Sequence, residues 1–486
     1  MVDEKNKDKE FVKEITPRAQ DYSQWYVDVI LKAELMDYAP IKGCMVIRPH
    51  GYAIWENVQR LLDKRIKETG HENAYFPLFI PQGLLQKEAE HVEGFAPEVA
   101  LVTRGGDEEL AEPLAVRPTS ESIICSMYSR WIQSWRDLPV LINQWANVVR
   151  WEKSTRPFLR TSEFIWQEGH TCHSTEEEAE QETLKMLEVY REFMETEMAI
   201  PVIAGQKTEK EKFAGALRTY TIEALMSDGK ALQSGTSHNL GQHFARVFDI
   251  TFLDQDDELK YVWQTSWGVS TRVIGALIMV HGDDRGLVLP PAVAPTQVVM
   301  VPIITKKQRE EVLEKINDVA GLLSHEIRLK VDDRVEYTAG WKFNQWEMKG
   351  VPLRLELGPR DMEHNRLVAV RRDTGDKEEI PMEEVTKRIP ALLKEIQQDM
   401  LKRALKFREE HTAEIEDYNK FCNYMLESKG FVRGYWCGSG NCEEKIKDDT
   451  KATIRCIINS NNGEEGHNCL VCGEKALYCV YFARAY

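Results

Sequence analysis

Between Pro139 and His170 the chain reads as two runs of alternating residues joined by a short basic segment. Few folds accommodate that pattern. Successive side chains of a strand point to opposite faces. With residues 139–152, PVLINQWANVVRWE, as one strand, Arg150 and Glu152 share a face. With the next run, FLRTSEFIWQEGH, as the antiparallel return over 160–171, Arg160, Ser162, Phe164, Trp166, Glu168 and His170 share one too. The intervening residues form a hairpin loop with Lys153 and Arg156, and Arg160 and Thr161 close it. The resulting face is too polar for a core and too aromatic for plain surface. It suits a polyanion bound beside a flat ring, with arginine forks on phosphate oxygens. A solvated face with cross-strand ion pairs is the competing reading for any one of these residues.

Other segments favour a site. RPTSESI sets Thr119 and Glu121 two residues apart, on one face if extended. QSGTSHNLGQ reads as a Gly/Ser-rich turn with Gln233, Thr236 and His238. SWGVSTRVIGALIMVHGDDRG starts an apolar helix at Arg272, two residues after Ser270. Periodicity predicts helices over Gln24–Ala33, Tyr52–Thr69 and Thr175–Met198, the last with Leu184, Leu187, Tyr190, Met194 and Met198 on one face. Tyr75–Ile80 reads as a short strand and residues 1–15 as a charged tail.

Beyond the proline-rich boundary PPAVAPTQ at 290–297, strand and helix patterns alternate (QVVMVPII, Lys306–Ser324, VPLRLEL, RLVAVRR), as in an α/β layer module. The formal net charge of −16 argues against a nonspecific nucleic-acid binder, DNA included. Residues 297–411, however, carry 22 Lys and Arg against 22 Asp and Glu, so this neutral module can still hold an RNA locally. A charged helical stretch, Ala391–Lys429, leads to the last feature. Six of the ten cysteines lie between Cys437 and Cys479. Cys437-x₄-Cys442 and Cys469-x₂-Cys472 fit a tetrahedral four-thiolate zinc site, against the alternative of free or oxidised thiols; Cys456, His467 and Cys479 are spare. With no leader-like N-terminus and no apolar run of membrane length, a cytoplasmic location is expected.

Taken together the segments resemble a class II aminoacyl-tRNA synthetase. YFPLFIP is similar to motif 1, Arg150–Glu152 to motif 2 and GVSTRVIGALI to motif 3. RPTSE, VVRWE, FLRTSEFIWQEGHT, KTEKEKFAGA, SGTSHNLGQ and GWKFNQWEMKGVPLRLELGPRD resemble, within that class, the prolyl-tRNA synthetases. The likeness runs over about residues 15–486 and takes in the cysteine-bearing tail of the archaeal/eukaryote-like form. It implies an α+β architecture: a catalytic domain on an antiparallel sheet over 16–290, an α/β anticodon-binding domain over 297–395 and a small α+β zinc-binding domain over 400–486.

The implied reaction joins L-proline and ATP, with Mg²⁺, into prolyl-adenylate, then transfers proline to the 3′ end of proline tRNA. By resemblance Arg150 bridges the proline carboxylate and the α-phosphate. Glu152, Arg160, Thr161, Phe164, Gln233, Thr236, Ser270 and Arg272 serve ATP, and Phe164 and Arg272 sandwich the adenine. Thr119, Glu121, Trp166, Glu168 and His238 form the proline pocket. Trp341, Lys342, Glu347, Lys349, Arg354 and Arg360 lie near RNA, and a homodimer through the catalytic domain is implied. A catalytically silent tRNA-binding or regulatory relative is the alternative. It should have lost motif arginines, and Arg150, Arg160 and Arg272 all stand.

Overall fold

The structure is a computed structural model describing residues 15–91, 98–304, 308–427, 430–459 and 466–486. The tail expected over 1–15 therefore lies outside the described residues except for Ile15, which is buried.

The hairpin that dominates the sequence is the middle of a long sheet. Val140–Val149 pairs antiparallel with Glu163–His173, which pairs with Trp263–Ser270. The order continues through Ala231–Gly241, Arg218–Leu225 and Val202–Gln206, every pairing antiparallel. The strands end earlier than the alternation suggested. Arg150 and Glu152 lie past one strand end, and Arg160–Ser162 before the next, in a loop held by Ser162 N–H on the Gly43 carbonyl (2.8 Å). QSGTSHNLGQ is not a turn but the Ala231–Gly241 strand, buried over most of its length. Its glycines serve close packing: a Cβ at Gly235 would meet Val269, Ile222 and Tyr190 at 3.1–3.3 Å. Of the Tyr75–Ile80 run only Phe79 and Ile80 enter a strand, Phe79–Pro81, because Pro77 has no N–H to pair.

One sheet face is packed and the other is polar. Helices Tyr22–Lys32, Pro49–Glu68, Glu176–Thr196 and Arg272–His281 contribute to one apolar core with Trp267, Val269 and Ile222. Helix Glu176–Thr196 opens with a reciprocal cap, Thr175 on the Glu178 N–H and Glu178 on the Thr175 N–H. Met186, Leu187, Tyr190, Phe193 and Met194 are buried on it, whereas Leu184, expected on that face, is 43% exposed. The inner stripe follows 186, 190, 193 and 194, and Leu184 falls outside it. Trp267 sits opposite Gly169, where any Cβ would lie 2.1 Å from its indole.

The second module is a five-stranded mixed sheet in the order Leu329–Val331, Val298–Pro302, Leu353–Leu357, Arg366–Arg371 and Lys377–Pro381. The first three strands are parallel, with helices Arg309–Leu323 and Ala339–Met348 in the connections. The charged stretch expected as helical over 391–429 is two helices. Val385–Glu410 runs unbroken across 395–400 although Pro390, inside its second turn, removes one intrahelical N–H, and Tyr418–Leu426 follows a short strand, Thr412–Glu414. The last module adds Thr453–Asn459, Tyr478–Ala483, Phe431–Trp436 and Thr412–Glu414 to the edge of the catalytic sheet, meeting it at Ile457 and Gln206.

Candidate functional site

The polar sheet face is the floor of a cavity of about 290 Å³. Strand register assembles it. Trp166 lies opposite Ser270, Glu168 opposite Gly268 and His170 opposite Ser266. Gly268 in turn faces Thr236, and Ser266 faces His238. Thr221 and Thr219 continue these rows. Phe164, Trp166, Glu168 and His170 thus share one face, as alternation requires, and all four line the cavity.

Thr119 and Glu121 arrive by a different route from the one expected. They are not extended: Glu121 begins helix Glu121–Trp131, and the Thr119 hydroxyl donates to its carboxylate. Both are buried. Arg150 stands between this helix start and the aromatic pair. Its Nε donates to the Pro118 carbonyl at 3.0 Å, and its guanidinium carbon lies 5.4 Å from the Phe164 ring centre and 5.5 Å from that of Trp166. The side chain is reached by solvent from the cavity yet crowded by protein. That crowding pulls its pKa down, against the opposing pull of Glu121, Glu168 and Glu152. Arg272 opens its helix with Nε on the Leu159 carbonyl (3.2 Å) and its own N–H on Ser270 Oγ (3.2 Å). Burial lowers its pKa as well, assisted by the nearby charges of Arg150 and Arg160. Two crowded guanidiniums in one cavity make a site for an anion.

Glu168 is an ionised carboxylate under the floor. Burial alone would raise its pKa, but bonds from His170 Nε2 (3.0 Å), the Ser120 hydroxyl and Gln144 Nε2 (2.8 Å) hold it below the ordinary value. Burial alone would lower that of His170, and the Glu168 contact raises it above the ordinary histidine value instead. Among the described residues His238 has no carboxylate partner. Burial and the His170 charge press its pKa to about 3, and its Nδ1 shares a hydrogen with Thr219 Oγ1 at 3.0 Å. The ring is therefore neutral, a hydrogen-bonding wall rather than a charge. Trp166 Nε1 and Ser266 Oγ are buried polar atoms in the cavity wall with no hydrogen-bond partner among the described residues, which invites a polar ligand there.

Eleven of the fourteen candidate pocket and nucleotide residues line the cavity: Thr119, Glu121, Arg150, Phe164, Trp166, Glu168, Gln233, Thr236, His238, Ser270 and Arg272. Glu152, Arg160 and Thr161 do not. Arg160 is half exposed and 3.9 Å from Glu152, and Thr161 is buried with its hydroxyl on the Glu163 carbonyl (2.7 Å). Sequence reasoning gave no role to Lys207, Glu211, Phe213, Thr219 and Ser266, all cavity residues. The KTEKEKFAGA segment entered only through the family resemblance, with no role for its individual residues.

In the second module several residues expected near RNA are engaged by protein. Lys342 is buried against Asp332, Arg354 bonds Glu356 and Glu347, and Lys349 reaches Glu34 of the catalytic domain. Trp341 is stacked on Tyr337 at 3.8 Å between ring centres.

Cys437, Cys442, Cys469 and Cys472 converge, with all sulfurs within 4.8 Å of one another and none in a disulfide. Cys437 Sγ lies 3.7 Å from both Cys442 Sγ and Cys472 Sγ. A tetrahedral zinc with bonds of about 2.3 Å requires sulfur separations of about 3.8 Å, so the cluster fits that ion. His467 is not part of the cluster; its Nδ1 lies 3.1 Å from Glu416 and its ring is stacked on Tyr435. Cys456 and Cys479 are buried in the strands behind.

Three family models match in order. The tRNA synthetase class II core domain (G, H, P, S and T) covers residues 102–281, the anticodon binding domain 297–392 and the prolyl-tRNA synthetase C-terminal domain 418–486. A proline–tRNA ligase of Natranaerobius thermophilus is 66% identical over 479 residues, 98% of this chain and 99% of that protein. One from Alkaliphilus oremlandii is 59% identical over 99% of both chains. The crystal structure of the Cryptosporidium parvum prolyl-tRNA synthetase, complexed with halofuginone and AMPPNP, superposes with a TM-score of 0.92. It is 42% identical and covers 99% of this chain and 98% of its own. With its antiparallel catalytic sheet, its mixed-sheet second module and its cysteine-bearing third, the chain belongs to the prolyl-tRNA synthetase family of class II aminoacyl-tRNA synthetases.

Proposed function

We propose that the chain is an ATP-dependent, AMP-forming proline–tRNA ligase. The observation that carries this reading is Arg150, wedged between the Thr119–Glu121 pair and the Phe164–Trp166 pair in a cavity that also holds Arg272. One guanidinium between an amine-accepting end and an aromatic end spans a carboxylate and the phosphate it attacks. No nucleophile–base pair is needed. The proline carboxylate displaces pyrophosphate from the α-phosphate of magnesium-bound ATP, and the protein supplies alignment and neutralises charge building on phosphorus.

In this reading Glu121 and the Thr119 hydroxyl accept the two N–H bonds of proline's secondary ammonium. Trp166 is the flat wall for the pyrrolidine. Glu168, Ser266 and neutral His238 close that end. Phe164 and Arg272 hold the adenine, Gln233, Thr236 and Ser270 border the nucleotide, and Glu152, Arg160 and Thr161 stand at the loop over its phosphates. The adenylate then passes its acyl group to the 3′-hydroxyl of proline tRNA. Domains at 16–290, 297–395 and 400–486, a homodimer through the first and a cytoplasmic location complete the proposal. Among the described residues no helix is long and apolar enough to cross a membrane.

Pyrophosphate exchange assayed with each amino acid tests the reading: proline should dominate, and equal exchange with another amino acid would reject it. Alanine should still give measurable exchange. It lacks two ring carbons of proline, and an apolar pocket discriminates only about 10–200-fold per methylene. The interval from Arg150 to Arg272 is filled by the strands and helices of the catalytic sheet. Purified enzyme should therefore leave mischarged alanyl-tRNA intact, and clear deacylation would reveal an editing site.

The four thiolates are assigned a structural zinc, since no ligand position remains open for catalysis. Freshly purified protein should contain one zinc per chain. Cys469→Ser should lose it and lower the melting temperature, with proline activation falling less than in Arg150→Ala. Absence of zinc by elemental analysis would refute the assignment.

A further inference from the structure

The pocket wall beside His238 is fastened from outside the catalytic domain. Lys207 lines the cavity and directs Nζ to Glu223 Oε1 at 2.8 Å, with both side chains essentially sealed from solvent. The other Glu223 oxygen accepts from Arg455, Nε at 3.1 Å and Nη2 at 3.0 Å, and Thr221 donates to Oε1 at 3.1 Å. Arg455 comes from the Thr453–Asn459 strand of the C-terminal module, 232 residues away. The next residues repeat the link. Thr208 Oγ1 donates to Glu443 Oε1 at 2.8 Å, and Lys210 Nζ to the Gly440 carbonyl at 3.0 Å.

The segment from Lys207 to Phe213 is thus tied to the C-terminal module directly at Thr208 and Lys210 and through Glu223 at Lys207, while giving Lys207, Glu211 and Phe213 to the cavity. Its far end is tied to the site itself. The Phe213 N–H donates to Thr219 Oγ1, the same hydroxyl that bonds His238, and the Phe213 ring lies 4.7 Å from the imidazole. The contact between modules is close: a Cβ on Gly205 would sit 2.5 Å from the Ile457 carbonyl and 2.8 Å from Cys456 Cβ. A buried carboxylate between two cations is stable only with all partners present, so this junction holds one geometry.

We infer that Arg455 and Glu443 are positioning residues for the amino-acid end of the pocket: through Glu223–Lys207 and Thr208 the C-terminal module sets where the 207–213 wall stands. The inference rests on the reading that the His238 end receives the amino acid.

The test is pyrophosphate exchange on full-length Arg455→Met, Arg455→Lys and Thr208→Val, with KM for proline and for ATP, kcat and melting temperature. Arg455→Met should raise the proline KM at least about fivefold and Thr208→Val about two- to threefold, with the ATP KM changing less than about twofold. Arg455→Lys, which keeps the charge and loses the fork, should fall between wild type and Met. A merely structural junction would lower the melting temperature and active fraction and leave both KM values alone, which overturns the coupling while the pocket assignment stands. A selective rise in the ATP KM would overturn the assignment of this wall to the amino-acid end, and the proposal with it. Should Arg455→Met not fold, Thr208→Val decides, since it cuts one hydrogen bond from the catalytic side; an unchanged proline KM there rejects the proposal.

Discussion

Arg150→Ala is expected to lower proline-dependent pyrophosphate exchange at least about 100-fold, a loss on the order of 3 kcal/mol or more in transition-state stabilisation. Among the described residues the side chain bonds protein through Nε, to the Pro118 carbonyl. Its terminal nitrogens are left for a ligand, between Glu121 and Glu168 on one side and the Phe164 and Trp166 rings on the other. Alanine removes the cation that aligns the attacking carboxylate and neutralises the phosphorus oxygens. Lysine should rescue little, because a point charge cannot bridge two oxygens as the planar fork does. Both rate and KM should worsen, whereas the melting temperature should move by a few degrees at most, since the side chain faces a wet cavity rather than the core. Exchange within about threefold of wild type in a folded Arg150→Ala protein would remove the site from this cavity.

That cavity is partly legible in the sequence. The alternation of Phe164, Trp166, Glu168 and His170 is a period-two signal over a long strand, and it placed all four side chains on one face as they stand. The same reasoning failed where the chain leaves regular structure. Arg150 and Glu152 share a parity, but the strand ends at Val149, and what brings Arg150 into the cavity is a bond to Pro118, a contact across 32 residues. Gln233, Thr236 and His238 looked like turn residues because glycine and serine cluster there. Their strand is buried between neighbours, where glycines make room for Val269 and Tyr190, and burial rather than propensity decides the conformation. Lys207 and Glu211 sit in a charged run of the kind that usually marks solvent. Nothing local shows that a strand from the far end of the chain seals Lys207 with Glu223 and Arg455. The cysteine pairs were readable because a tetrahedral chelate leaves its spacing in sequence.

Acidification from pH 7 to pH 5 is expected to destabilise the catalytic domain by roughly 4–8 kcal/mol, seen as a fall of about 5–10 °C in its melting temperature. Four histidines drive this. Burial presses the pKa of His238 to about 3 and those of His50, His173 and His281 to about 4, against an ordinary value of 6.5. The carbonyls of Met198 and Lys349, which His281 and His50 bond, favour the charged ring, but burial outweighs them, and His173 shares a hydrogen with the Thr171 hydroxyl. Below pH 6.5 the unfolded chain protonates all four while the folded chain does not. The unfolded state then binds more protons, and stability falls with pH at up to about 1.4 kcal/mol per group per unit until the folded pKa is reached. His170 opposes this, because its pKa is raised by Glu168 and it favours the folded state at low pH, but it is one group against four. The lowered carboxylates, Glu168 and Glu182 among them, are ionised in both states above about pH 5 and enter only at lower pH. Net charge pulls the other way too. The chain carries −16 at pH 7 and is near neutral at its pI of about 5.4, so relief of self-repulsion alone would make it more stable on acidification. The two effects differ in sign, and thermal unfolding at pH 7, 6 and 5 in low and in high salt separates them, because salt screens the self-repulsion and leaves the desolvated rings unaffected. A melting temperature that holds or rises toward pH 5 even in high salt would mean that these histidines, His238 in the pocket included, are not held neutral.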